Sequence, residues 1–236
     1  MRIAIMQPGY LPWLGFFELM HNCDVFVLFD DVQYTKKDWR SRNRIRTKNG
    51  WIWLSVPVLT KGKQFQLINE ARIDYSSDWR EKHLKAVEIN YYKSKYFKEY
   101  FTGLKKILSF DWEYLVELDL ELIRWLALEL GIRREIIKSS SLKTSGRRED
   151  KIIAVCKALK ANELYDSQAA ASFLDAQVFR AQGISLFFQN YAHPVYTQLH
   201  SPFVPFMSSL DLLFNQGAQS SEIILSGTNL GLEKVL

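Results

Sequence analysis

A chain of 236 residues that is 47% hydrophobic, 24% charged and 14% aromatic has the composition of a folded globular protein, which excludes a disordered or low-complexity one. Two distant cysteines, Cys23 and Cys156, exclude a disulfide scaffold, and the opening MRIAIMQP, without a basic n-region or small-residue cleavage site, gives the expectation of a cytoplasmic protein. The net charge of +5 is concentrated in one place, since Thr35 to Gly50 hold Lys36, Lys37, Arg40, Arg42, Arg44, Arg46 and Lys48 against Asp38 alone.

Ile3 to Met6 and Val25 to Phe29 are short continuous apolar runs, the pattern of strands buried on both faces of a parallel sheet. Between them, Pro12 to Asn22 sets Trp13, Phe16, Phe17 and Met20 at helical spacing behind a first-turn proline, which makes a βαβ opening. The basic segment then reads as a connection into a strand over Trp51 to Val58, which alternates and stops near Pro57. Ser77 to Tyr92, Ser94 to Leu108 and Asp111 to Leu130 have the i, i+3, i+4 spacing of helices, the third with Asp111 as N-cap and Gly131 as C-cap. Alternation returns with a strand at Glu135 to Lys138, a helix at Arg148 to Leu159, a strand at Glu163 to Tyr165, a helix at Ala169 to Ala181 and a strand at Ile184 to Phe188. A last helix spans Ser208 to Asn215 and is closed by Gly217. Ala181 to Leu210 contain no Asp, Glu, Lys or Arg, but three prolines and several amides interrupt them, so no membrane span is expected. The expected fold is a single α/β domain over residues 1–236, a parallel sheet with a central helical insertion forming a subdomain at about 77–131.

Ligands of open parallel sheets sit beyond the carboxyl ends of the strands. Three such ends are polar here: Gln7, then Asp30, Asp31 and Gln33, then Gln189 to His193. The adjacent Asp30 and Asp31 can bind a cation, accept a proton or anchor an amine; the alternative is that one caps a turn and the other pairs with the basic cluster. His193, in NYAHPVYTQLH, titrates near neutrality and has Tyr196 and Gln198 nearby to fix its tautomer, the pattern of a general base, or of a histidine hydrogen-bonded inside an aromatic loop. The cluster containing Lys37, Arg42, Asn43 and Arg44 reads as a pocket wall for a compact anion such as a phosphate, or as a solvated loop. Its localisation argues against a nucleic-acid partner, the third reading being RNA bound by the cluster and Trp39. The hydroxyl-rich basic run Lys138 to Arg148 is a phosphate cradle or a surface linker. There is no P-loop, G-x-G-x-x-G, G-x-S-x-G or zinc-ligand spacing, so no metal site is expected and the cofactor is left open. Cys23 and Cys156 read as buried packing.

Gln7, Pro8, Tyr10, Pro12, Trp13 and Gly15, then DDVQY at Asp30 to Tyr34, RNRI at Arg42 to Ile45, LSVPV at Leu54 to Val58, HPVYTQ at His193 to Gln198 and SSLDLLFNQG at Ser208 to Gly217 give a sequence that resembles the WbqC-like family nearly end to end. The resemblance implies a protein of bacterial O-antigen and other surface-polysaccharide biosynthesis. The activity it suggests is transfer of an acyl or aminoacyl group, from a donor of that kind, to a nucleotide-linked amino sugar. The alternative is a non-catalytic binding or scaffold module of a polysaccharide assembly complex. YDSQAAASF at Tyr165 to Phe173 departs from the Gly-containing stretch the family would have there. The opening MQPGYLPWLGFF also looks like the phosphate-binding turn of nucleotidyltransferases, which implies a Rossmann-like sheet. The two histidines of that turn are replaced by Trp13 and Phe16, so nucleotidyl transfer by that route is not expected. The candidate site therefore has His193 as base, Asp30 and Asp31 as its charged partners, and Gln7, Tyr10, Gln33, Lys37, Arg42, Asn43, Arg44, Tyr196 and Gln198 as substrate-binding groups. All are expected to converge on one pocket, with Asn43 or Gln33 donating to the oxyanion.

Overall fold

The structure, a computed structural model, describes residues 1–229. Its central sheet contains β1 (Arg2–Met6), β2 (Val25–Leu28), β5 (Glu135–Lys138), β6 (Glu163–Asp166) and β7 (Ser185–Phe188), in the order β5-β2-β1-β6-β7. Every neighbouring pair is parallel. Successive side chains along these strands point to opposite faces, and both faces are covered. Ala4, Phe26, Leu28, Tyr165 and Phe187 join one core with α1 (Leu14–His21), α3 (Phe97–Leu108), α4 (Leu115–Glu129) and α7 (Ser209–Gln216). Ile3, Ile5, Val25, Val27, Leu164 and Leu186 pack on the other side against α5 (Glu149–Ala158) and α6 (Ala176–Ala181). This double coverage is why the strands are continuously apolar instead of alternating. Numbered within the sheet, the strand order is 3-2-1-4-5, so the chain reverses direction of growth at β1, and the carboxyl ends of β1 and β6 frame the crevice where open α/β sheets bind ligands.

Residues between β2 and β5 form a two-stranded ribbon of β3 (Arg42–Thr47) and β4 (Gly50–Ser55), followed by α2 (Trp79–Tyr91), α3 and α4. A final short helix, α8, spans Ser220–Ser226. None of the helices among the described residues is long and apolar enough to cross a membrane.

Three sequence expectations need correction. The basic segment is not a mere connection: Arg42 to Thr47 pair antiparallel with Gly50 to Ser55. Asn43 and Ile45 are buried on one face while Arg42 and Arg44 on the other are half-buried, a period of two masked by the charge density and broken at the buried Arg46. Helix α4 begins after Tyr114, and Asp111, expected to cap it, instead accepts a hydrogen bond from Arg80 at 2.8 Å. The Ala169 to Ala181 helix is split into a 3-10 turn, Gln168–Ser172, and α6, whose start is capped by the Asp175 carboxylate accepting from the Gln177 N–H.

Tyr10, a candidate ligand-binding residue, is fully buried, with its hydroxyl 2.9 Å from His83 Nδ1 on α2. Burial pushes the His83 imidazole from 6.5 down to about 4, partly opposed by a backbone hydrogen bond to Ser55. The unfolded chain therefore takes up a proton between about pH 6.5 and 4 that the folded chain refuses. The stability associated with neutral His83 is complete above pH 6.5 and is lost as the pH falls toward 4, by about 3 kcal/mol. Urea midpoints measured from pH 7 to pH 4.5 should fall more steeply for the wild type than for His83→Gln.

Candidate functional site

Three segments meet at the carboxyl end of β1. The turn after β1 is drawn toward the segment preceding β3: the Tyr10 N–H donates to the Trp39 carbonyl at 3.0 Å, and Asn43 Nδ2 donates to the Leu11 carbonyl at 2.8 Å. Gly9 permits this approach, because a Cβ there would stand 3.3 Å from the Trp39 carbonyl oxygen. The third segment joins through the Ser208 N–H on the Arg44 carbonyl and the Ser209 N–H on the Pro12 carbonyl. Between them lies a cleft of about 360 Å³. Its walls are Met6 to Gly9, Pro12, Trp13 and Phe16 from the first segment, Trp39, Arg40, Asn43 and Arg44 from the second, and Phe206 from the third.

The cleft is apolar apart from an amide-and-guanidinium edge. Arg40 is held by Gln7, whose Oε1 accepts from Nε at 2.6 Å and from a second guanidinium nitrogen, and by an ion pair with Asp38. Arg44 donates to the Phe206 carbonyl at 2.9 Å, while its Nε is buried without a partner. No carboxylate pairs with Arg44 among the described residues. Burial alone lowers its pKa. A half-buried guanidinium with an unpartnered Nε and no counter-charge is a site for an anion. Among the described residues, Arg40 and Arg44 are the only ionisable side chains lining the cleft, which has neither an imidazole nor a carboxylate in its walls.

Of the candidate residues, Gln7, Asn43 and Arg44 line this cleft. The others lie elsewhere, and the expected convergence on one pocket is corrected accordingly. Asp30 is fully buried and is satisfied by the turn after β5, accepting from the Ser140 N–H at 2.9 Å and the Ser140 hydroxyl at 2.7 Å. Asp31 accepts from the Ser139 hydroxyl and pairs with Lys151 at 2.6 Å. The hydroxyl-rich run is thus spent on fixing the end of β2. His193 lies behind the cleft wall. Its Nε2 accepts the Phe206 N–H at 3.1 Å, which leaves the proton on Nδ1 to be donated to the Pro194 carbonyl at 2.9 Å. With both ring nitrogens bound to backbone and its ring packed on Trp13, Tyr196 and Phe206, His193 holds the lip of the cleft and has no lone pair for a substrate. Tyr196 and Gln198 both donate to the buried Asp211. Gln33 is exposed, forms an isolated β-bridge with Leu67 and is not part of the cleft lining, and Lys37 is exposed. Arg42 stacks on Trp53 at 4.2 Å.

Sequence reasoning missed the ring walls Trp13, Trp39 and Phe206 and singled out no role for Arg40. Trp13 stood in the quoted motif beside Gly15. The pair is coupled, since a Cβ on Gly15 would lie 2.3 Å from the Trp13 ring. Gly15→Ala should therefore push the indole out of the cleft wall, cost about 1–3 kcal/mol as an overpacked site, and weaken ligand binding; thermal melts and calorimetry check both effects.

The model of the WbqC-like protein family matches residues 7–223, which include the turn after β1, the ribbon, the aromatic loop and α7. A protein of Mycobacterium tuberculosis (strain ATCC 25618 / H37Rv), "Uncharacterized protein Rv1507c", is 36% identical over 225 residues, covering 94% of this chain and 97% of its own. No solved structure matches the chain. With the family match extending across every segment that builds the cleft, the chain belongs to the WbqC-like protein family.

Proposed function

We propose that the cleft binds a nucleotide-linked amino sugar, and that the protein is a cytoplasmic transferase of bacterial surface-polysaccharide biosynthesis placing an acyl or aminoacyl group on the sugar amine. The observation that carries the reading is Arg44, a half-buried cation without a carboxylate partner among the described residues, standing at the carboxyl end of the strand where the sheet order reverses. The 3-2-1-4-5 order supports a Rossmann-like sheet, with residues 29–134 as the insertion that brings Arg40, Asn43 and Arg44 to its edge, all in one domain. The ring walls suit a sugar face, and the Gln7 amide beside Asn43 suits its polar substituents. Because no imidazole or carboxylate among the described residues lines the cleft, the protein contributes by holding donor and acceptor together and by placing a cation near the developing negative charge, while the amine proton passes to solvent.

The same lack of a lining base favours a second reading, a non-catalytic module that binds the nucleotide sugar for an assembly complex. Calorimetry with UDP-, GDP- and dTDP-linked amino sugars tests binding, and mass spectrometry of the sugar after incubation with acyl and aminoacyl donors tests transfer. Binding with incorporation supports the transferase; binding without it supports the module. Binding by none of the panel overturns both.

A further inference from the structure

The cleft is smaller than the ligand class proposed for it. At about 360 Å³ it lies near the lower end of small-molecule sites, enough for one ring with its phosphate but not for a nucleoside and a sugar together. One ring of a nucleotide sugar must lie outside, on the far side of the diphosphate. What adjoins the cleft at Arg44 is a strip of exposed indoles. In the ribbon register Arg44 stands directly opposite Trp53, and the strip runs Trp39, Trp53, Trp51 with successive ring centroids 5.4 Å apart. These tryptophans are 45%, 36% and 41% exposed, unusual for a residue that contributes so much apolar surface when buried. The Arg44 guanidinium lies 5.0 Å from the Trp51 ring and 5.8 Å from Trp53, and Arg42 lies 4.2 Å from Trp53. These cations hold the rings in place.

We propose that Trp53 and Trp51 form a nucleobase-stacking subsite, so that the bound ligand runs from its sugar in the cleft, through its diphosphate at Arg44, to its base on the ribbon. This rests on the nucleotide-sugar reading above and adds the direction of binding. The division follows from chemistry. The cleft carries neutral amide groups, Gln7 and Asn43, next to its rings, which suits a hydroxyl- and nitrogen-bearing sugar. The strip offers indole rings, tilted 56° and 81° to their neighbours, and guanidinium groups, so a base can stack on the face of one ring with its edge against the next. Stacking tolerates any base, so the subsite should discriminate poorly between nucleotides.

The probes are UDP, GDP and glucosamine 1-phosphate, titrated calorimetrically into wild type, Trp51→Ala, Trp53→Ala and Trp53→Phe. UDP and GDP should bind wild type within about tenfold of one another and lose about 10- to 100-fold in each alanine variant, the range for one lost base–aromatic stack. Trp53→Phe should recover most of that loss. Glucosamine 1-phosphate should bind all four proteins within about twofold, which also reports that the variants are folded. Unchanged UDP and GDP affinity in both alanine variants overturns the subsite while leaving the cleft reading intact. Equal weakening of glucosamine 1-phosphate also overturns it, since the tryptophans would then support only the shape of the cleft. Failure of every probe on wild type overturns the subsite together with the reading beneath it.

Discussion

Arg44→Ala is expected to bind nucleotide-linked amino sugars about ten- to a hundredfold more weakly than wild type while melting at nearly the same temperature. A hydrogen bond to a charged group is worth about 1.5–3 kcal/mol, and each 1.4 kcal/mol is tenfold in affinity. The loss should be clean because the native contacts of Arg44 are few: one hydrogen bond to the Phe206 carbonyl and ring contacts on an exposed face. Arg44→Lys should fall between the two, keeping the charge but losing the planar fork that grips two phosphate oxygens at once. Titration calorimetry at low and moderate salt measures this, and equal affinities for wild type and Arg44→Ala would remove the anion site. Arg40→Ala is a weaker test, since its loss also frees Gln7 and Asp38 from the hydrogen bonds that orient them.

Asp211→Ala is expected to lower the unfolding free energy by about 3–5 kcal/mol, the usual result of removing the acceptor from a buried polar network. The Asp211 carboxylate on α7 is fully buried and accepts from the Tyr91 hydroxyl, the Tyr196 hydroxyl and Gln198 Nε2, each at 2.8 Å. The network reaches farther, because the Tyr91 hydroxyl in turn accepts the Arg46 N–H of the ribbon at 2.8 Å. Arg46, only 2% exposed, donates to the carbonyls of Thr47, Gly50, His200 and Pro202, which binds the aromatic loop to the ribbon. Removing the carboxylate strands two buried hydroxyls, Tyr91 and Tyr196, takes one of the two bonds from Gln198 Nε2, and loosens the loop that carries Phe206. Urea denaturation followed by tryptophan fluorescence measures the loss; a change below about 1 kcal/mol would mean that water replaces the carboxylate without penalty. Asp211→Asn, which keeps the shape and one acceptor oxygen, should lose less.

The candidate site was legible in the sequence only in part, and the residues that misled did so for one reason. Asp30, Asp31, His193, Tyr196 and Gln198 are polar residues at strand ends or in a charge-free loop, where a ligand-binding role and an internal hydrogen-bonding role leave the same trace. What separates the roles is whether a partner arrives from far along the chain. Ser140 reaches Asp30 across 110 residues, and Phe206 reaches His193 across 13. Local spacing carries no record of either. Arg44 is the converse case. It looked like one charge among seven, and its distinction, that it lines the cleft with its guanidinium against the Phe206 carbonyl and without a carboxylate partner among the described residues, is an outcome of how the ribbon folds against the loop.

The sequence by itself determined the elements whose periodicity is unambiguous. The apolar runs at Ile3 to Met6 and Val25 to Phe29 became neighbouring parallel strands, and the i, i+3, i+4 patterns became α2, α3 and α4, because burial on two faces or one stripe writes itself directly into residue order. It also placed Gln7 among the candidates as the polar residue ending the first apolar run, and Asn43 and Arg44 as members of the basic cluster. Only the tertiary structure decided that Arg42 to Thr47 is a strand, that the two aspartates and the histidine are held by backbone and serine groups, and that tryptophans at positions 39, 51 and 53 stand around one cation. The physical reason is that strand pairing and the satisfaction of buried polar groups are long-range events. Their partners are chosen by the packed fold, and no window of neighbouring residues contains them.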